Sequence, residues 1–203
     1  VLVIGGGSAG LVSAYIGAAV KAKVALIERD KMGGDCLNTG CVPSKALIRS
    51  ARAADTLRHA DRYGLDSVPV SGSFATIMAR VKKVIGKIEP HDSVERYSSL
   101  GVDCIAGSAA FVSPWEVDVT HHDGRRERLS ARSIVVATGG KPFLPPIDGL
   151  DRMAPLTSEN LWDLEEQPQR LLVMGGGPIG CELSQAFARL GVVLDAAGPE
   201  TLL

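Results

Sequence analysis

The strongest constraint on what this 203-residue chain can fold into is a pattern that occurs twice, 170 positions apart. Val1-Leu2-Val3-Ile4 runs into Gly5-x-Gly7-x-x-Gly10, and Leu171-Leu172-Val173-Met174 runs into Gly175-x-Gly177-x-x-Gly180. Short apolar runs of this kind suit parallel strands buried on both faces. The glycines then allow a tight turn in which backbone N–H groups approach a pyrophosphate at the start of the next helix. A glycine loop alone is a weak signal, and its context carries the argument. A helical stretch follows to about Lys21, a second strand runs from Val24 to Ile27, and Glu28 closes it eighteen residues after Gly10. An acid there is placed to accept hydrogen bonds from an adenosine ribose. Taking Gly5 to Gly10 as a merely flexible loop leaves Glu28 unexplained. In the second copy the position matching Glu28 is Gly198, and no arginine follows it. The chain reads as an α/β protein: one Rossmann-like fold over 1–150, a connection over 151–170 and the start of a second such fold over 171–203.

Between the two copies lies Gly33 to Lys45, GGDCLNTGCVPSK, with four residues separating Cys36 from Cys41. Pro43, Ser44 and Lys45 lead into the alanine-rich run Ala46 to Ala54, so the cysteines sit where a loop becomes a helix. Proline suits a first helical turn, where its missing N–H would have had no partner. The partial positive charge of a helix start stabilises a thiolate, which points to a redox or nucleophilic Cys41. The bland alternatives are inert core cysteines, a structural bridge or half of a zinc site. No second Cys or His pair with ligand spacing exists to complete a zinc site, and Cys104 and Cys181 stand alone in apolar runs. No metal site is expected.

Elsewhere the sequence predicts a helix from the cysteine segment to about Tyr63 and a loop from Gly64 to Gly72. A further helix over Phe74 to Ile88 carries its apolar residues at helical spacing. After Pro90, a helix from about Asp92 to Leu100 closes at Gly101. Strands follow at Val102 to Ile105, Ala110 to Val112 and Val117 to Thr120, with His121 to Gly124 as a solvated turn. Ser133 to Val136 is a strand running into the small turn Ala137-Thr138-Gly139-Gly140, and Thr157-Ser158-Glu159 opens a helix reaching Leu164.

The formal net charge of -1, with short mixed groups of acids and bases, offers no basic face for nucleic acid or an anionic membrane. No apolar run reaches bilayer length. Four cysteines with one redox-type pair fit a reducing compartment, and cytoplasm is the default expectation. The chain begins without methionine, inside a strand pattern, so both ends read as cut.

GGDCLNTGCVPSK, VVATGG and GGGPIGCE, in that order, resemble the flavin disulfide reductases, the group I pyridine nucleotide-disulfide oxidoreductases. That group includes dihydrolipoamide dehydrogenase, glutathione reductase and mercuric reductase, and the likeness extends to about Gly191. Low-molecular-weight thioredoxin reductases carry their cysteine pair in the second nucleotide domain, which argues against them. The resemblance implies FAD held by the first fold, with Gly5, Gly7 and Gly10 at the pyrophosphate, Glu28 at the ribose and Gly34 also among the cofactor-binding residues. It places Ala109 against the adenine and Thr138 and Gly139 along the flavin. Gly175, Gly177 and Gly180 would bind NAD(P), with a lean to NAD. It implies a Cys36–Cys41 disulfide, Cys41 as the thiolate facing the flavin and Cys36 as the interchange thiol. Lys45 would lie near the reactive flavin nitrogen with Glu182 as its partner. Electrons would pass from NAD(P)H through FAD to the disulfide and on to a small-molecule, disulfide or metal acceptor, with a lean toward mercuric-reductase-like proteins. Asp35 departs from the threonine usual beside the pyrophosphate, and Pro178 from the aromatic residue over the nicotinamide pocket. The group's histidine base, second FAD segment and homodimer interface belong to a C-terminal region beyond Leu203. The competing expectation is a truncated FAD-binding fragment without turnover.

Overall fold

The computed structural model describes residues 1–197. In chain order its elements are β1 (Leu2–Ile4), α1 (Ser8–Ala19), β2 (Val24–Glu28), α2 (Gly34–Asn38), α3 (Cys41–Arg58), α4 (Phe74–Ile88) and α5 (Val94–Ser99). Then come β3 (Val102–Ser113), β4 (Glu116–His121), β5 (Arg126–Ser130), β6 (Ile134–Val136), β7 (Arg170–Met174), α6 (Pro178–Arg189) and β8 (Val193–Ala197). Contacts divide the chain into two units, Val1–Asn38 with Ile85–Phe143, and Thr39–Val84 with Leu144 onward.

The first unit is built on a six-stranded sheet in the order β5-β4-β3-β2-β1-β6. β1 lies parallel to β2 on one side and to β6 on the other, and β2 lies parallel to β3. Alternation along β1 sends Val3 to one face and Leu2 and Ile4 to the other. Val3 joins Leu11 and Ala14 of α1, Leu26 of β2 and Tyr97 of α5. Leu2 and Ile4 join Ile27, Ile105 and the β4 residues Val117 and Val119, so the antiparallel β3-β4-β5 meander supplies that core. This is why β1 is apolar at every position. α5 begins at Val94 rather than at Asp92, capped by Ser93, whose hydroxyl accepts from Arg96 N at 3.2 Å.

The structure departs from the sequence reading at several places. The two strands expected on either side of Gly107 are one strand, β3. Gly107 sits inside it because a Cβ there would meet Thr120 O of β4 at 2.6 Å. The glycine marks close strand approach, not a strand end. β5, Arg126-Glu127-Arg128-Leu129-Ser130, has no apolar run to announce it, and its charges suit an exposed sheet edge. The helix expected over Thr157 to Leu164 is a turn followed by three 3₁₀ residues, Leu161–Asp163. Asn160 Oδ1 accepts from Thr157 N at 2.6 Å, a local side-chain bond that competes with helix.

In the second unit α3 packs on α6, and the Phe74 and Phe187 rings meet with centroids 6.1 Å apart. The α4 helix spans the expected residues, while α3 ends at Arg58 and a 3₁₀ turn, Ala60–Tyr63, completes the expected length. β7 and β8 lie parallel and are joined through α6, repeating the β1–α1–β2 connection. The equivalent of Glu28, Gly198, lies outside the described residues.

Leu26, 1% exposed, packs in the core of the first unit. Leu26→Ala should lower unfolding free energy by about 2–5 kcal/mol in urea titration. Lys82→Ala, on the exposed side of α4, should leave it within about 0.5 kcal/mol.

Candidate functional site

The glycine loop after β1 is held by backbone packing. Gly5 has φ +106°, and a Cβ on it would fall 2.2 Å from Ala137 O, at the end of β6. A Cβ on Gly10 would fall 1.8 Å from Gly5 O, so α1 can start this close to β1 only with glycine at that position. Gly7 caps α1 in extended conformation. Gly33 N donates to Gly6 O at 2.8 Å, and Gly34, at φ +51°, would place a Cβ 2.6 Å from Gly7 Cα. Glu28, at the end of β2, accepts from Gly6 N with Oε2 and from Asp30 N with Oε1. Gly139, at φ +66°, turns the chain after β6 next to Thr138. The structure thus brings Gly5, Gly7, Gly10, Glu28, Gly34, Thr138 and Gly139 around the carboxyl ends of β1, β2 and β6. That crevice is where parallel sheets bind ligands. Ala109 lies within β3, opposite Val119 of β4.

Cys36 lies in α2, half-buried, and Cys41 is the exposed first residue of α3. Two residues not singled out in the sequence hold this segment. Asn38 Nδ2 donates to Met32 O at 3.1 Å and to Gly34 O at 2.9 Å, tying down α2. Trp162, 6% exposed, donates from Nε1 to Thr39 O at 2.7 Å and to Ser158 O at 2.8 Å, so it anchors the residues just before Cys41. An indole with a single donor gives no periodic signal, and one of its two acceptors lies 123 residues away.

Lys45, one turn after Cys41 on α3, forms an ion pair with Glu182 of α6. Their side chains are 60% and 44% exposed, so the pair contributes at most about 1 kcal/mol to stability. Around it α3 and α6 are fixed by Arg58 Nη1 donating to Arg189 O at 2.5 Å and by Arg189 Nε at 3.6 Å from Asp55 Oδ2. Arg80 of α4 donates to Ala46 O at 2.8 Å and to Ser50 Oγ at 3.2 Å. The second glycine loop repeats the first: Gly175 has φ +98°, Gly177 caps α6, and a Cβ on Gly180 would lie 2.6 Å from Gly175 O.

The paired histidines diverge, but His121 is not solvated as expected. Its side chain is 13% exposed, with Nε2 2.6 Å from Glu127 Oε1, while the exposed His122 has Nε2 3.0 Å from Arg29 O. Burial raises the thiol pKa of half-buried Cys104.

The profile of one family, pyridine nucleotide-disulphide oxidoreductase, matches residues 1–199. The chain belongs to this family. Its fold is the Rossmann-like FAD-binding fold of the disulfide oxidoreductases. Among its relatives it is 35% identical over 192 residues to mercuric reductase of Streptomyces lividans, covering 94% of this chain and 40% of that protein. It is 33% identical over 201 residues to a dihydrolipoyl dehydrogenase of Bacillus subtilis, covering 95% and 42%. The structure is similar to that of LpdA from Mycobacterium tuberculosis, with TM-score 0.83, 31% identity and coverage of 98% and 45%. The chain spans about two fifths of the length of the curated relatives it matches. Oxidoreductases of this family use FAD and NAD(P)H. The first glycine crevice fits a dinucleotide, because its walls are backbone and any side chain on Gly5, Gly10 or Gly34 would clash.

Two outcomes follow from these contacts. Trp162→Phe keeps the ring and removes the donor, leaving the Thr39 and Ser158 carbonyls without it. Denaturant titration should show a loss of about 1–3 kcal/mol. Mass-spectrometric alkylation at pH 8 should label Cys104 more slowly than exposed Cys181, because burial leaves less of Cys104 as thiolate.

Proposed function

We propose that this chain is the FAD-binding and redox-active part of an NAD(P)H-dependent flavin disulfide reductase. The observation that carries the reading is the placement of α2. This helix bears Cys36, and through Gly34 it packs on Gly7 of the glycine loop. A thiol is thereby tied to the crevice that suits a dinucleotide. In this reading residues 1–150 form the FAD part, with Gly5, Gly7, Gly10 and Gly34 receiving the pyrophosphate and Glu28 the ribose. Ala109 meets the adenine, and Thr138 and Gly139 line the flavin. Residues 151–170 connect to 171–203, where Gly175, Gly177 and Gly180 open the NAD(P) fold.

When bound, FAD supplies a carrier that accepts hydride from the nicotinamide nucleotide and passes an electron pair to a disulfide. Cys36 and Cys41 form that disulfide, and two electrons and two protons convert it to the dithiol. Cys41, at the first position of the 18-residue α3, is held as thiolate by the positive end of that helix. Cys36 is the interchange thiol. As thiolate it attacks an acceptor disulfide, forms the mixed disulfide and is released when Cys41 closes the bridge again. A thiophilic metal ion such as mercuric ion is the other acceptor class, and the Streptomyces lividans relative bears the name mercuric reductase. Lys45 supplies a cation one helical turn from Cys41, and Glu182 orients it. No helix among the described residues is long and apolar enough to cross a membrane. We place the enzyme in the reducing cytoplasm as a homodimer.

A visible spectrum of the purified chain tests the reading. Bound flavin should develop a long-wavelength charge-transfer band on anaerobic addition of NADH or NADPH. Cys36→Ser should retain such a band, and Cys41→Ser should abolish it. Colourless protein that takes up no added FAD would overturn the reading for this chain.

A further inference from the structure

β1 has β2 on one side and β6 on the other, so the crevice at its carboxyl end is bounded by the loop after β1 and the loop after β6. Both walls are backbone, Gly5 to Gly7 and Ala137 to Gly139, and the start of α2 is wedged against them. Gly34 touches Gly7, and the next residue, Asp35, has Oδ2 only 3.8 Å from where a Cβ on Gly139 would lie. The Asp35 carboxylate therefore stands between the two loops. It is exposed, and no hydrogen bond or ion pair joins it to any described residue. The other acid at the crevice, Glu28, has both oxygens engaged by the Gly6 and Asp30 N–H groups.

We propose that Asp35 is the residue that sets how tightly this crevice holds a diphosphate-bearing cofactor, an inference that rests on the FAD reading above. A dinucleotide laid over Gly5 to Gly10 brings its diphosphate to the junction of the same loops. There it meets the negative charge of Asp35, which forms no ion pair with any described residue. Two like charges a few ångströms apart in a partly solvated site repel enough to change affinity by about tenfold, and salt screens part of that effect. Asp35 thus selects against phosphate charge while leaving the flavin and adenosine contacts untouched.

The test is a titration of the flavin-free full chain with FAD and, separately, with riboflavin, followed by flavin fluorescence at low and at high sodium chloride. Asp35→Asn keeps the size of the side chain and removes its charge. It should bind FAD about tenfold more tightly than the native chain at low salt, with the gap narrowing at high salt. Riboflavin, which has no phosphate, should bind both chains equally. Asp35→Thr, a second neutral side chain, should reproduce the gain. Native and Asp35→Asn chains with equal affinity for FAD would overturn the proposal while leaving the FAD reading intact. So would an equal gain for FAD and riboflavin, which would report repacking rather than charge. Failure of all three chains to bind FAD would overturn both.

Discussion

The turn from β1 into α1 is possible only because nothing occupies the space of a side chain at Gly10, whose Cβ would lie 1.8 Å from the Gly5 carbonyl oxygen. That approach sets the start of α1 against the end of the buried strand, and the rest of the first unit is assembled around it. Gly5 leaves room for the carbonyl of Ala137 at the end of β6, and Gly34 at the start of α2 leaves room for Gly7. Three stretches separated in sequence therefore converge through main-chain contacts. A crevice walled by backbone presents N–H groups rather than side chains, which is the chemistry a diphosphate needs.

The second unit solves a different problem. Lys45 and Glu182 are both exposed and contribute little stability to each other, so their pairing depends on the scaffold beneath them. α3 packs on α6, Leu47 and Ala51 of the first and Ala186 and Phe187 of the second are buried, and the partly buried Asp55–Arg189 pair joins the two helices. Trp162 adds a constraint at the other end, where its indole N–H holds the Thr39 carbonyl just before Cys41. A cysteine at a helix start is useful only if that start is well ordered, and here the order comes from a donor far away in sequence.

Much of the fold was legible because its signals are local. Glycine spacing, apolar runs at period two and the helical stripe of α4 each lie within a dozen residues, and both β–α–β connections stand where those patterns put them. The misreadings fall where a local signal had a distant cause. Gly107 looked like the end of a strand, yet it is glycine because Thr120 of the neighbouring strand comes too close for a side chain. β5 carries three charged residues in succession, as suits an edge strand, and only its pairing with β4 makes it a strand at all. His121 looked like a turn residue, and Glu127 across the hairpin draws it in.

The sequence alone determined the two nucleotide-type folds, the cysteine pair at a helix start and the acid closing β2, since each is a matter of spacing along one stretch of chain. Only the tertiary structure decided that Glu182 reaches Lys45, that Trp162 anchors the residue before Gly40, and that Asp35 faces the turn at Gly139. The physical reason is range. Backbone conformation is dictated by neighbours within a few residues, whereas a charge or a donor acquires its role from whatever folding brings within a few ångströms of it.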